Sequence, residues 1–516
     1  MDKKKSLLNV SVSIGFKFIL IFLSLYVRRL LIQNIGNEIN GLDSLFLSLI
    51  GFLSVTELGV GSAITFCMYK PVVEKNNEKV AALYHLIKKL YNIISVIIFA
   101  AGLILMPFLP YFAKDFSTAS VNVYLTYFLT LVSVMLSYYF SSKISLINAY
   151  KDNYITNIIN SGGIVLQSIL QICVIIITKS YLAYVICKIV AVLIQWCGTN
   201  WIINKKYSGI ICIKAKLDDE TKKEVVKNVK AMFMHKIGGV LVNTVDSITI
   251  STFVGVVILG KYSNYTIIVT GMASVISLFF TPLTSIIGHL YLQADNKEVT
   301  RYFGFFHSLN FVIGCIFYLG YYAVIDDLIR VCFGNNLELS KSISFIITLN
   351  YFIQYMRQAV MMFKDGTGTF YNDRWKPIAE GISNLILSVA FVKIFQQLWG
   401  NDMAVVGVIV ATIITNLFIC HVVEPHVVFK YAFKIPTVKY YIKNYGYMVI
   451  FTIALVVLNN LLVHSNNTLQ SLLLNGVISL LISAVLMIFV LIVDSNFRMY
   501  VFRMIDGVIG KIKKAV

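Results

Sequence analysis

Apolar stretches long enough to cross a bilayer recur along this chain, and that recurrence limits the fold more than any motif does. Fourteen can be laid out, at about 9–32, 42–69, 88–110, 119–149, 155–177, 180–203, 231–254, 263–289, 303–325, 343–365, 377–399, 403–423, 444–463 and 470–494. A bilayer core offers no water to backbone amides, so only helices and closed barrels span it. Barrel strands would be short and alternating, and these stretches are neither. Only 13% of the 516 residues are charged, about half the share of a soluble protein. Mean hydropathy is +0.78. The chain is therefore read as an all-α polytopic membrane protein of about 14 transmembrane helices.

The segment MDKKKSLLN has the charged start of a signal peptide. No small-residue cleavage site follows it, so 9–32 is read as a retained first span. With that start in the cytoplasm, the inner loops hold 31 lysines and arginines and the outer loops five: Lys114, Lys179, Lys261, Arg330 and Lys341. This bias places both termini inside. It also accounts for the net charge of +19 without nucleic acid. The eight cysteines and seven histidines are scattered, with neither disulfide nor metal spacing. No cluster of acids, no DxD and no HxxxH arrangement marks a membrane enzyme, so the chain is read as non-enzymatic.

The stretch 231–254, AMFMHKIGGVLVNTVDSITISTFV, carries Lys236, Asn243 and Asp246 within a membrane-length segment. It also repeats the first apolar stretch at a constant offset. Asn9 pairs with Asn228, Lys17 with Lys236 and Gly36 with Gly255, while NGLDSLF (40–46) lies near GKYSNYT (260–266). A duplicated six-span unit follows, a common transporter plan. The expected domains are an N-terminal six-helix bundle over 1–203, a basic cytoplasmic linker over 204–230, and a C-terminal six-helix bundle over 231–423. A cytoplasmic loop, a helical hairpin and a basic tail occupy 424–516. The hairpin has no counterpart and reads as an addition to the side of one bundle.

Charges inside spans need a hydrated interior or a partner, since each costs roughly 2.5–3.5 kcal/mol at mid-bilayer. The embedded bases are Lys17, Arg28, Arg29, Lys143, Lys188, Lys236, Arg357 and Lys393; the embedded acids are Glu57, Asp246 and Glu380. The excess of cations favours an anionic ligand such as a diphosphate, whose oxygens match guanidinium forks. Lys17, Arg28, Lys236 and Arg357 are the candidate lining of a cationic cavity. Arg28 is preferred to Arg29 because Lys17 lies about three helical turns away. Arg357 requires either a lumen or an acidic partner. Asp246, with Asn243 nearby, is the candidate for contact with Na+ or H+, or for internal pairing. Glu57 is a second candidate for either role. No metal site and no cofactor are expected.

NGLDSLFLSLIGFLSVTELGVGSAITFCMYKP and GKYSNYTIIVTGMASVISLFFTPLTSIIGHL resemble segments of the Wzx-type polysaccharide flippases, the polysaccharide exporter branch of the MATE/MOP superfamily. The resemblance implies a MATE-like V-shaped pair of six-helix bundles plus two extra C-terminal helices. It implies alternating access in a bacterial cytoplasmic (inner) membrane, carrying undecaprenyl-diphosphate-linked oligosaccharide repeat units from the inner to the outer leaflet. Polymerase and glycosyltransferases of the same pathway are implied partners. A cavity lined by the first and seventh spans is implied, here Lys17, Arg28, Lys236 and Asp246. Proton or sodium coupling holds in some relatives and stays open. The alternatives are a cation-coupled multidrug-type exporter, a lipid II flippase, and a non-transporting scaffold of a glycan assembly complex.

Overall fold

The computed structural model describes residues 3–57, 60–114, 121–150, 152–215, 217–463, 467–503 and 506. The side chains of 3–14 and 230–243 lie outside that description, so those of Lys236 and Asn243 do too. The first helices are α1 (Lys3–Asn34), α2 (Asn37–Leu53), α3 (Val60–Val73), α4 (Asn77–Leu105), α5 (Val123–Ala149), α6 (Asn153–Thr178), α7 (Tyr181–Lys206) and α8 (Asp219–Phe253). There follow α9 (Val256–Gln293), α10 (Asn296–Phe333), α11 (Lys341–Met356), α12 (Gln358–Gly366), α13 (Lys376–Trp399), α14 (Ala404–Thr415), α15 (His421–Val427), α16 (Val438–Leu461) and α17 (Thr468–Val493). Polar residues start several of them. Asn76, Asn122 and Asp218 each accept a bond from a backbone N–H three residues on, at 2.9–3.0 Å.

Among the described residues ten spans are long and apolar enough to cross a membrane. The other four expected stretches explain the difference from fourteen. Two are divided, one by a 3-10 turn at Ser54–Glu57 between α2 and α3, the other at Arg357 between α11 and α12. The remaining two fall in α1 and α8, which contain the undescribed side chains. The protein is all-α and polytopic.

The chain divides into two compact units, Met1–Ser263 with Gln396–Ala404, and Asn264–Phe395 with Val405–Val516. In the first, α1 packs on α6, α5 on α4 and α7, and α8 on α2 and α3. In the second, α10 is the centre and touches α11, α12, α16 and α17. The α10 contact buries Ser471, Asn475, Ser479 and Ser483, one four-residue stripe down α17. Small polar residues let helices approach where lipid gives no hydrophobic drive between them.

The repeat seen in the sequence has a structural counterpart inside the first unit. Gly36 has φ +124° between α1 and α2, and Gly255 has φ +132° between α8 and α9. The two turns share their hydrogen bonds. Ile35 and Gly36 donate to Leu31 O, and Val254 and Gly255 donate to Ile250 O, at 2.9–3.2 Å. Such a φ is costly for residues with a Cβ.

The helices leaving these turns then pack on one another through glycine. A Cβ on Gly41 would lie 1.9 Å from Val256 O, and one on Gly260 would lie 2.5 Å from Asn37 O. The side chains of Asn37 and Asn40 close the contact, donating to Val257 O at 2.9 Å and Gly260 O at 3.0 Å. Both obstacles are backbone, which cannot swing aside. Gly41→Ala is expected to destabilise the protein by about 1–3 kcal/mol, read as a lowered melting temperature in detergent. Gly446→Ala, with nothing within 4 Å of the new methyl, is the control and should not lower it.

Candidate functional site

Three arrangements in the membrane interior carry chemistry: a mixed cluster in the first unit, a neutralised cluster in the second, and a polar cleft in the first.

Arg28 belongs to the first cluster. Its Nη1 donates to Ser263 Oγ at 3.0 Å, and Asn40 Nδ2 reaches the same oxygen at 3.3 Å. Asp43 and Tyr184 lie within electrostatic reach of the guanidinium. Lys188 Nζ sits 2.5 Å from Asp43 Oδ1 and 5.2 Å from the Tyr184 ring, and Tyr181 OH donates to Asp43 at 3.0 Å. Both members of the Lys188–Asp43 pair are nearly buried. Sequence reasoning found Arg28 and gave Lys188 little weight, and it passed over Asp43. The signal for Asp43 was an acid one turn beyond Asn40, at the head of an apolar stretch.

Arg357 meets carboxylates. Its Nε and Nη2 fork onto Glu424 Oε2 and Oε1 at 3.0 and 2.6 Å. Nη1 donates to Glu380 Oε1 at 3.3 Å and to Asn416 Oδ1 at 2.8 Å. Lys376 Nζ completes the square, 2.7 Å from Glu380 and 2.6 Å from Glu424. Two cations face two anions, and the charge of Arg357 is spent internally. Of the two environments the sequence required for it, a lumen or an acidic partner, the structure supplies the second. Arg357 stands at the break between α11 and α12, and Asn416 opens a π-helical turn, Asn416–Cys420, before α15. These irregularities bring Arg357 onto Glu424 and Asn416 onto Arg357. Glu424 was missed because it falls one residue past the expected span 403–423.

A hydrogen-bonded chain leads away from that cluster. His421 Nε2 donates to Ile353 O at 2.9 Å, which leaves Nδ1 to accept from Asn444 Nδ2 at 3.2 Å. Asn444 Oδ1 then accepts from His307 Nε2 at 3.1 Å. The chain fixes His421 in its neutral form, because a protonated Nδ1 could not accept.

The cleft lies among α3, α4, α5, α6 and α7 and encloses about 840 Å3. Ser137, Ser141, Ser145 and Asn148 line it from α5; Asn153, Thr156, Asn157 and Asn160 from α6; Gln195 from α7. Tyr69 and Tyr91 add two phenols, and among the described residues Glu57 is its one charged side chain. Tyr91 OH donates to Glu57 Oε1 at 3.1 Å. Two glycines seat the polar groups. A Cβ on Gly61 would lie 2.1 Å from Tyr91 OH, and one on Gly163 would lie 1.7 Å from Gln195 Nε2. The serines recur every four residues along α5, and that spacing was the overlooked signal.

The remaining sequence candidates are placed as follows. Lys17 is half-buried on α1. Asp246 is buried on α8 beside Thr244 and Val245, while Lys236 and Asn243 lie outside the described side chains. Arg28, Lys17, Asp246 and Glu57 all fall in the first unit, and Arg357 falls in the second. Among the described residues no three His, Cys, Asp or Glu side chains gather as a metal ion would require.

Comparison with solved structures gives the fold its place. The chain is similar to the lipid II flippase MurJ in an inward closed conformation, with a TM-score of 0.64 at 15% identity over 93% of this chain and 98% of that one. It is also similar to an inward-facing multidrug resistance MATE transporter of the MOP superfamily, at 0.55 and 10% identity over 86% and 98%. The MATE multidrug transporter DinF-BH gives 0.54 at 16% identity over 83% and 97%. The likeness is one of fold, a polytopic helical membrane fold similar to those of MurJ and the MATE transporters. No family model matches the chain. No curated protein matches it either.

Removing one member of a buried ion pair strands the other, at about 3–5 kcal/mol. Arg357→Ala is therefore expected to cost the folded state about that much, read as thermal stability in detergent. Adding Glu424→Gln should recover part of the loss. A double variant no more stable than Arg357→Ala would show that the two side chains are not coupled.

Proposed function

We propose that this protein is a flippase for saccharides carried on a prenyl diphosphate, working by alternating access between two helical bundles of a fourteen-span MATE-like fold. The observation that carries this reading is the cleft of the first unit. Its hydroxyls and carboxamides both donate and accept, as a neutral sugar does, and only Glu57 among its lining residues is charged. A site built for cationic drugs would set carboxylates at its centre. Two cationic side chains, Arg28 and Lys188, gathered with Asp43 in one cluster support an anionic group on the same cargo. In this reading Arg28, with Lys17 and Lys236 on the first and seventh spans, attracts the diphosphate. Arg357 braces the second unit and takes no part in binding.

The movement runs from the inner to the outer leaflet of a bacterial inner membrane, with both termini in the cytoplasm. Asp246 with Asn243 is the coupling site for a proton or sodium ion, and Glu57 is the other carboxylate placed to serve. The cargo reading divides in two. The residues quoted from the sequence favour oligosaccharide repeat units. The likeness to the lipid II flippase over 93% of the chain favours lipid II, and it is the better-supported of the two.

Reconstituted vesicles decide among these. The full-length protein should move prenyl-diphosphate-linked glycans between leaflets and leave a cationic dye such as ethidium behind. Asn160→Ala with Gln195→Ala should slow glycan movement about tenfold, two lost hydrogen bonds at about 1 kcal/mol each being ample for that factor. Dye transport without glycan movement would overturn the proposal. Lipid II and a longer repeat unit, run side by side, separate the two cargoes.

A further inference from the structure

Helices α4, α5 and α7 wall the polar cleft on one side, and their other faces form a groove of opposite character. Adjacent residues divide between the two: Tyr91 lines the cleft and Asn92 the groove, Gln195 the cleft and Trp196 the groove. The groove consists of two hollows of about 390 and 520 Å3 that share Lys88 and Asn92. Lys143 and Trp196 belong to the first, Lys89 to the second. Among the described residues no acidic side chain lines either hollow. Exposed apolar side chains continue it along the helices, among them Ile93, Val96 and Leu193.

Lys143 is fixed in this groove. Its Nζ donates to Asn200 Oδ1 and lies 6.0 Å from the Trp196 ring centroid. That geometry differs from a lysine reaching along its helix for water, which leaves the ammonium in solvent. Lys88 is close enough for the two ammonium groups to feel each other's charge. Neither forms an ion pair with a described residue. His85 contributes no charge partner, since its Nε2 is bonded to Ile213 O at 2.9 Å. Lys143 and Asn200 each stand six residues, about 9 Å, from the neighbouring ends of α5 and α7. A basic end close to the helix termini, opening into an apolar surface, matches the head and tail of a lipid.

We propose that this groove is a binding site for an anionic phospholipid of the surrounding bilayer. Its phosphate sits between Lys88 and Lys143, Trp196 lies at the glycerol level, and its acyl chains run along Ile93, Val96 and Leu193. The site is independent of the transport reading, because it uses the lipid-facing side of the wall.

Tryptophan fluorescence tests this with the full chain. Trp201, Trp375 and Trp399 are replaced by Phe, leaving Trp196 as the reporter, and the protein is reconstituted with phosphatidylcholine and phosphatidylglycerol at equal fractions. Brominated phosphatidylglycerol should quench Trp196 more strongly than brominated phosphatidylcholine. Lys88→Gln with Lys143→Gln should weaken the preference about fivefold or more, while Lys88→Arg with Lys143→Arg keeps it. Should the double Gln variant fail to fold, Lys88→Gln alone carries the test, since Lys88 is exposed. Equal quenching by the two lipids, or a preference that survives loss of the lysines, would overturn the site. Loss of the preference on adding millimolar inorganic phosphate would reassign it to a soluble anion.

Discussion

A bilayer interior solvates neither charge nor peptide, and this protein's irregular features follow from that constraint. The break in helix at Arg357 and the π-helical turn at Asn416 serve the same pair of carboxylates. Lys376 and Glu380 stand four residues apart on one helix face and close the square. Lys364 and Asp373 form another fully buried pair at 2.6 Å. Such pairs add little net stability compared with apolar packing, but a missing member is severely felt. The described interior of the second unit is thus electrically settled. In the first unit Arg28, Lys188 and Asp43 share one cluster, and the described lining of the polar cleft carries a single charged side chain, Glu57.

That contrast bears on cargo. The fold is similar to that of a lipid II flippase and of a multidrug transporter, so it does not by itself name a ligand. On the proposed reading the cleft's hydroxyls and carboxamides meet the sugar and Arg28 meets the diphosphate. The glycines at 61 and 163 give Tyr91 and Gln195 room to lie across their helices and add polar groups to that lining.

Sequence alone made the class and most of the helices legible, because hydrophobic length acts locally. The offset that pairs Gly36 with Gly255 located two turns that share their backbone conformation and hydrogen bonds. Partnerships were less legible, because they depend on which helices meet. Arg357 was correctly seen to need company, but nothing local distinguished Glu424 as its partner. Asp43 and Lys188 are 145 residues apart and meet only through the packing of α2 and α7. The serines of α5 resembled ordinary helix-packing residues until α6 brought its asparagines opposite them.

The contact at Gly41 and Gly260 has a further consequence for how such a chain can change. Each copy of the duplicated segment presses bare main chain into the space where the other would carry a side chain. Neither has a rotamer to yield, so an alteration in one copy cannot be absorbed by a compensating alteration in the other. The two segments can differ elsewhere along their length, yet at this crossing each is held to bare main chain by the other.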